Sequence, residues 1–196
     1  MEYDIETSYN GGQQMIRAFN GKTPRIADSA FVSEWAYVVG DVEIGENSGV
    51  WPGAVIRGDF GTIRIGRNSQ VEDNSVVHAG TAMEIGDNVL IGHSAVIHGM
   101  KIGNNVLVGN NATVLDFAEI GDGCIIGANS MVATGQKIPS NSFVVGVPAR
   151  VKRELSSDMV DDMRRRMADR HSQMRAKDMP ELSYSDLARK YKEEGL

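Results

Sequence analysis

Along most of the chain, aliphatic residues return every six positions. They stand at Ile26, Val32, Val38, Ile44, Val50 and Ile56, at Ile65, Val71 and Val77, at Ile85, Ile91 and Ile97, and then at Ile102, Val108, Val114, Ile120, Ile126, Val132, Ile138 and Val144. Four residues after most of them comes a small one: Ala30, Ala36, Ser48, Ala54, Ser69, Ser75, Ala95, Ala112, Ala118 or Ser130. Glycine often fills the place directly behind the aliphatic, as in Ile44-Gly45, Ile65-Gly66, Ile85-Gly86, Ile91-Gly92 and Ile120-Gly121. An amphipathic helix needs a period of 3.6. A period of six with one large and one small inward residue suits short strands joined by tight corners, where glycine adopts backbone conformations closed to other residues. Three hexads per turn make a triangular solenoid, and the hexads suffice for six to seven coils stacked about 4.8 Å apart. The pattern therefore predicts an all-β, parallel β-helix of hexapeptide repeats over residues 25–150.

The pattern stops at Pro148-Ala149-Arg150. Residues 151–196 carry 11 basic and 10 acidic residues, and Met159, Met163, Met167 and Met174, with Val160, mark one face at helical spacing behind Ser156 or Ser157 as N-cap. Pro180 ends that helix, and a second short one is expected from about Ser183, with Leu187 and Tyr191 as its apolar positions. The methionine stripe predicts a helix packed on the solenoid or covering an open end of the coil stack. Arg164-Arg165-Arg166 is interleaved with acids and reads as a solvated face or an intersubunit pairing. Residues 1–24 show no hexad; Gly11-Gly12-Gln13-Gln14-Met15 matches part of a common expression tag, so residues 1–14 are candidates for non-native sequence.

Composition narrows the function. The net charge is −6 over 196 residues, which disfavours duplex nucleic acid as a partner. Glycine at 22 residues and aromatics at 6% disfavour a helical bundle. Cys124 is the single cysteine, no apolar run is long enough to span a bilayer, and no cleavable signal stands at the start, so a soluble, cytoplasmic protein is expected.

The candidate chemistry lies in three histidines, His78, His93 and His98. His78 follows the hexad start Val77 and His98 follows Ile97, three hexads on, so the two stack one coil apart. At that spacing two imidazoles can aim at one ion, since a Zn–N bond is about 2.0–2.1 Å. His93 stands two residues behind Ile91 and belongs to a different corner of the coil, out of reach of the pair within its own chain. A threefold homo-oligomer of parallel solenoids brings His93 of one subunit against His78 and His98 of the next. Arg57 shares the column of His78 if Gly58 to Thr62 form a loop, and Asp59 is two residues on. Arg57 and Asp59 are an interface ion pair or, beside a metal, a grip on an anionic oxygen. Asp73 is a candidate partner of Arg57 across the interface, and Glu72 is the candidate partner of a catalytic water. His171 is assigned no role.

These residues resemble the γ-class carbonic anhydrase family. The matching segments are Arg57-Gly58-Asp59, Val71-Glu72-Asp73-Asn74-Ser75-Val76-Val77-His78, Ile91-Gly92-His93-Ser94-Ala95-Val96-Ile97-His98-Gly99 and Gly146-Val147-Pro148-Ala149-Arg150. The tail, with Arg153-Glu154-Leu155-Ser156 and Tyr184-Ser185-Asp186-Leu187-Ala188, looks more like the phenylacetate-degradation and carnitine-operon branch. The resemblance implies a left-handed coil, which general rules for parallel crossovers do not. It also implies a homotrimer and zinc, alternatively iron or cobalt, held by His78, His93 and His98 with His93 from the adjacent subunit. Arg57, Asp59 and Asp73 would then hold the interface or the bicarbonate, and a zinc-bound hydroxide would hydrate carbon dioxide. The chain departs from the family's pattern in three places. The archetype's long acidic loop with its proton-shuttle glutamate is replaced by Ala79-Gly80-Thr81-Ala82-Met83-Glu84, leaving Glu84 as a candidate substitute. Phe60 stands where an acid follows the Arg-x-Asp motif, and Glu72 replaces a glutamine. Alternatives compatible with the same residues are an acyl-CoA thioesterase, an acyltransferase using one histidine as base, and a non-catalytic trimeric scaffold stabilised by metal.

Overall fold

Every hexad start lands in one of three stacked inward columns. The computed structural model describes residues 15–78, 80–172 and 184–194. The first face stacks Ile16, Val38, Ile56, Val77, Ile97, Val114 and Val132 in parallel register. The second stacks Ile26, Ile44, Ile65, Ile85, Ile102, Ile120 and Ile138, and the third Val32, Val50, Val71, Ile91, Val108, Ile126 and Val144. All of these aliphatics are buried except Ile16 and Ile26 of the first coil, which are partly buried and pack against the core. A left-handed parallel β-helix results, its interior one continuous aliphatic stack. Each fully buried Val or Ile contributes about 1.5–3 kcal/mol.

The small residues fill the corners. Buried serines there donate one coil along, Ser48 to the carbonyl of Gly66 at 2.7 Å and Ser69 to that of Gly86 at 2.8 Å. Glycine serves a purpose other than the one the pattern suggests. A Cβ at Gly66 would come within 2.4 Å of Asp87 Oδ1 and 2.6 Å of the Gly86 backbone, so the requirement is close approach between coils. Left-handed corner conformations fall mostly to asparagine, whose short polar side chain tolerates them: Asn47, Asn68, Asn88 and Asn105 have φ of 53–56° and hydrogen bond to one another in a ladder at 3.3 Å.

Several expectations need correction. Residues 58–62 are not a loop; one strand, Val55–Ile65, runs through them and joins the first face to the second. It pairs with Tyr37–Ile44, which turns the same corner, on both sides of a bulge: Gly58 pairs with Gly40 and Ile63 with Val42, and the extra residues 59–62 lie opposite Asp41. The solenoid begins before residue 25, because Met15–Arg17 pairs with Tyr37–Val39. Ahead of its helix the tail adds a strand that the sequence did not announce: Arg150–Glu154 pairs antiparallel with Ser142–Val145 after a cis Val147-Pro148 bond. The helix Ser157–Ser172 follows, capped by Ser156, whose Oγ accepts from the Met159 amide at 3.4 Å. Val160 and Met163 are buried, Met163 against Leu90, Leu107 and Ile125 on the outside of the third face, while Met159 is exposed. In the second helix, Tyr184–Glu194, Tyr191 packs edge-on to Phe31 and Trp51 at centroid distances of 5.9 and 6.1 Å. The described residues of the tail thus cover the third face along its side. The side chains of Met167, Met174, Leu187 and His171, and the segment holding Pro180 and Ser183, lie outside the described residues.

Candidate metal centre

Stacking by hexads carries Arg57, His78 and His98 into one column. Arg57 pairs in register with His78, and Val77 with Ile97, so each of the three side chains follows the inward residue of its own coil and leaves the first face at its exit edge. His78 Nδ1 lies 3.1 Å from His98 Nε2, with ring centroids 5.0 Å apart. The outer nitrogen of each ring meets a carboxylate. His78 Nε2 is 3.0 Å from Asp59 Oδ1, and His98 Nδ1 is 2.9 Å from Asp116 Oδ1. Arg57 pairs with the other oxygen of Asp59 and reaches His78 Nδ1 at 3.3 Å. Burial pushes the Asp59 carboxyl up, but hydrogen bonds from Arg57 and His78 outweigh it and hold the group below the usual carboxylate range.

This donor chemistry suits a metal ion. A carboxylate on the outer nitrogen takes the imidazole N–H, leaving the inner nitrogen with a lone pair. Two lone pairs facing at 3.1 Å call for positive charge; the Arg57 guanidinium brings some to His78 Nδ1 at 3.3 Å, and a metal ion between the rings would bring it to both. Two Zn–N bonds at the tetrahedral angle put their nitrogens about 3.3 Å apart. Among the described residues, no three His, Cys, Asp or Glu side chains of one chain converge on a metal.

His93 sits at the opposite, entry edge of the first face, in the corner between Leu90–Ile91 and Val96–Ile97. Its Nε2 is 3.2 Å from Glu72 Oε2 and its Nδ1 is 3.0 Å from Asp73 Oδ2, with Glu72 only 6% and His93 51% exposed at the side chain. Asp73 therefore meets His93, not Arg57, within the chain. Glu84 is not at the pair; it lies on the second face between Arg64 and Lys101. Phe60 projects at 76% exposure with its ring edge-on to His78 at 6.0 Å. Asp116 is the residue that sequence reasoning missed. The signal was present: Val114 follows Ile97 by one coil, which sets Asp116 one row beyond His98.

Residues 23–58 and 99–134 match the family described as bacterial transferase hexapeptide (six repeats). A carbonic anhydrase of Geobacillus kaustophilus is 39% identical over 77% of this chain and 84% of its own length. The carnitine operon protein CaiE of Escherichia coli is 36% identical over 72% of this chain and 73% of its own. Among solved structures, a hexapeptide transferase family protein from Anaplasma phagocytophilum superposes with a TM-score of 0.78 at 30% identity, covering 91% of this chain and 98% of that one.

Proposed function

Because the chain belongs to the γ-class carbonic anhydrase-like family of hexapeptide-repeat proteins, we propose that it interconverts carbon dioxide and bicarbonate at a metal shared between the subunits of a homotrimer. The observation that carries this reading is the facing pair of His78 and His98, each imidazole backed by a carboxylate. One chain offers two imidazoles where a catalytic zinc takes three protein ligands. His93 on the entry edge of one copy supplies the third to the pair on the exit edge of the next, its Nε2 exchanging the Glu72 contact at 3.2 Å for the metal, and a heterologous contact of that kind closes a ring. The first face suits such a contact. Its outward residues Tyr37, Val55, Val76, Val96, Thr113 and Met131 bear no charge, and no helix of the described residues covers them.

Zinc bound there, or iron or cobalt on the same imidazoles, would supply a Lewis acid that makes water nucleophilic near neutral pH. Arg57, oriented by Asp59, holds a bicarbonate oxygen by charge-assisted hydrogen bonds, and the same pair steadies the interface. Glu72 arrives with His93 and accepts a proton beside the centre; Asp73 fixes the other His93 nitrogen. With no acidic loop, Glu84 on another face and Phe60 beside His78, the proton leaves to buffer.

The test is metal content per subunit, paired with stopped-flow hydration in strong and weak buffer. Near one metal per subunit with buffer-dependent hydration is expected. His93→Ala should lose the metal while the circular dichroism of the coil persists; normal metal content in that variant would sink the shared site. Glu72→Gln should lower hydration if the carboxylate accepts the proton. The likeness to transferases favours a second reading, acyl transfer or thioester hydrolysis. A general base for acyl transfer needs one imidazole and leaves the second, and both carboxylates, without a task. Metal bound without hydration, but with thioester cleavage, would decide for it, and metal required only for trimer mass would decide for a scaffold.

A further inference from the structure

His98 is held from a side that no motif of the family segments includes. Asp116 belongs to the next coil, two residues behind Val114, which pairs with Ile97. Its carboxylate lies 2.9 Å from His98 Nδ1 although the side chain is 48% exposed. At such exposure an ion pair adds little to stability, so its effect is better sought in the imidazole it touches.

We propose that Asp116 is a positioning residue of the metal centre, holding His98 in the tautomer that carries its proton on Nδ1 and presents bare Nε2 to His78. The inference rests on the metal reading of the histidine pair. Neutral imidazole exists with the proton on either nitrogen, and its neighbours choose. Without Asp116, His98 places its proton on Nε2 and donates it to His78 Nδ1 across the 3.1 Å gap. That single hydrogen bond satisfies both inner nitrogens and closes the pair to a cation. With Asp116 in place, and Asp59 doing the same for His78, both outer N–H groups are committed outward. The inner lone pair of His98 then faces that of His78, which the Arg57 guanidinium also reaches at 3.3 Å, and what relieves the His98 nitrogen is a cation between the rings. Asp116 thereby opposes collapse of the pair and increases the basicity of the His98 donor.

The experiment uses the full-length chain, zinc-stripped and zinc-loaded, with 15N-labelled histidine. Two-bond 1H–15N correlation on the stripped protein should show His98 protonated at Nδ1, and Asp116→Ala should move that proton to Nε2. Zinc dissociation constants from chelator competition should rise about 10–100-fold in Asp116→Ala, and less in Asp116→Asn, which keeps a side-chain oxygen acceptor. Trimer mass and circular dichroism should not change. An unaltered protein with His98 protonated at Nε2, or an alanine variant with the same tautomer and a zinc affinity within twofold, would overturn the assignment of Asp116. Failure of the unaltered protein to take up zinc would overturn the metal reading itself, and this inference with it.

Discussion

On the second face, the outward residues of seven successive coils are Arg25, Glu43, Arg64, Glu84, Lys101, Glu119 and Lys137, alternating in sign at every step. On the first face the same rows hold Met15, Tyr37, Val55, Val76, Val96, Thr113 and Met131. The inward columns of both are aliphatic stacks, so the two faces differ in the alternate positions alone. Alternation of sign lets each charge pair with the coil above and below: Glu43 meets both Arg25 and Arg64, and Lys137 meets Glu119 at 2.9 Å. Such a face is satisfied by itself and by water. The matching row of the first face carries no charge; His78 and His98 flank it on one edge and His93 on the other. One architecture thus yields a charged, self-paired face and an uncharged one, the face we propose for assembly, by changing every second residue of short strands.

Breaking the first face should have the largest effect. Val96, 39% exposed in the isolated chain, becomes an uncompensated buried charge in Val96→Asp, which costs about 3–5 kcal/mol per contact. Light scattering should then show monomer, while Lys101→Glu on the second face leaves the mass unchanged; a trimeric Val96→Asp protein would remove this face from the assembly.

The inward neighbour sharpens the contrast. Ile97→Ala opens a cavity in the stack and should lower unfolding stability by about 2–5 kcal/mol, whereas Val96→Ala, facing outward, should disturb assembly more than the folding of the coil. Denaturant titration of each variant separates the two.

On the second face, Glu43→Gln leaves Arg25 and Arg64 without their shared partner. The expected loss is about 0.2–1 kcal/mol, as for exposed ion pairs, and it should shrink as salt rises. A salt-independent loss would point to packing instead.

The smallest effect concerns Asp87, at a corner bordering the second face. The Arg67 amide donates to it at 2.8 Å, and that bond, with the Arg67 guanidinium, holds its carboxyl below the ordinary range against the cost of burial. The folded-state pKa lies below the unfolded value of about 3.9. Its contribution is therefore present above pH 4 and lost as pH falls through the folded value. The melting temperature of Asp87→Asn should start lower at pH 6 and fall less between pH 5 and 3 than that of the unaltered chain.

The inner architecture was legible because six-residue spacing admits few solutions: an aliphatic that recurs with every strand must face the axis, and each predicted start did. The alignment of Arg57, His78 and His98 followed from the same counting, as did the separation of His93. Other features escaped it. Glu84 looked like a neighbour of His78 because it stands only six positions on, but a corner intervenes and turns it onto another face. Asp116, eighteen residues from His98, looked remote and is its hydrogen-bond partner. The strand through Gly58–Thr62 replaced a loop because its neighbour Tyr37–Ile44 turns the same corner and pairs with it on both sides of a bulge, Gly40 with Gly58 and Val42 with Ile63. Likewise, the methionine stripe announced a helix without saying which apolar surface it would cover.

By itself, the sequence determined the period, the stack and the row of each histidine, since these depend on spacing along the chain and on burial of aliphatic side chains. Only the tertiary structure decided which carboxylate meets which imidazole, which face the tail covers and which stays open. Those outcomes depend on corners that add or drop a residue and on distances of about 3 Å across coils, and neither is set by a repeat that treats every coil alike.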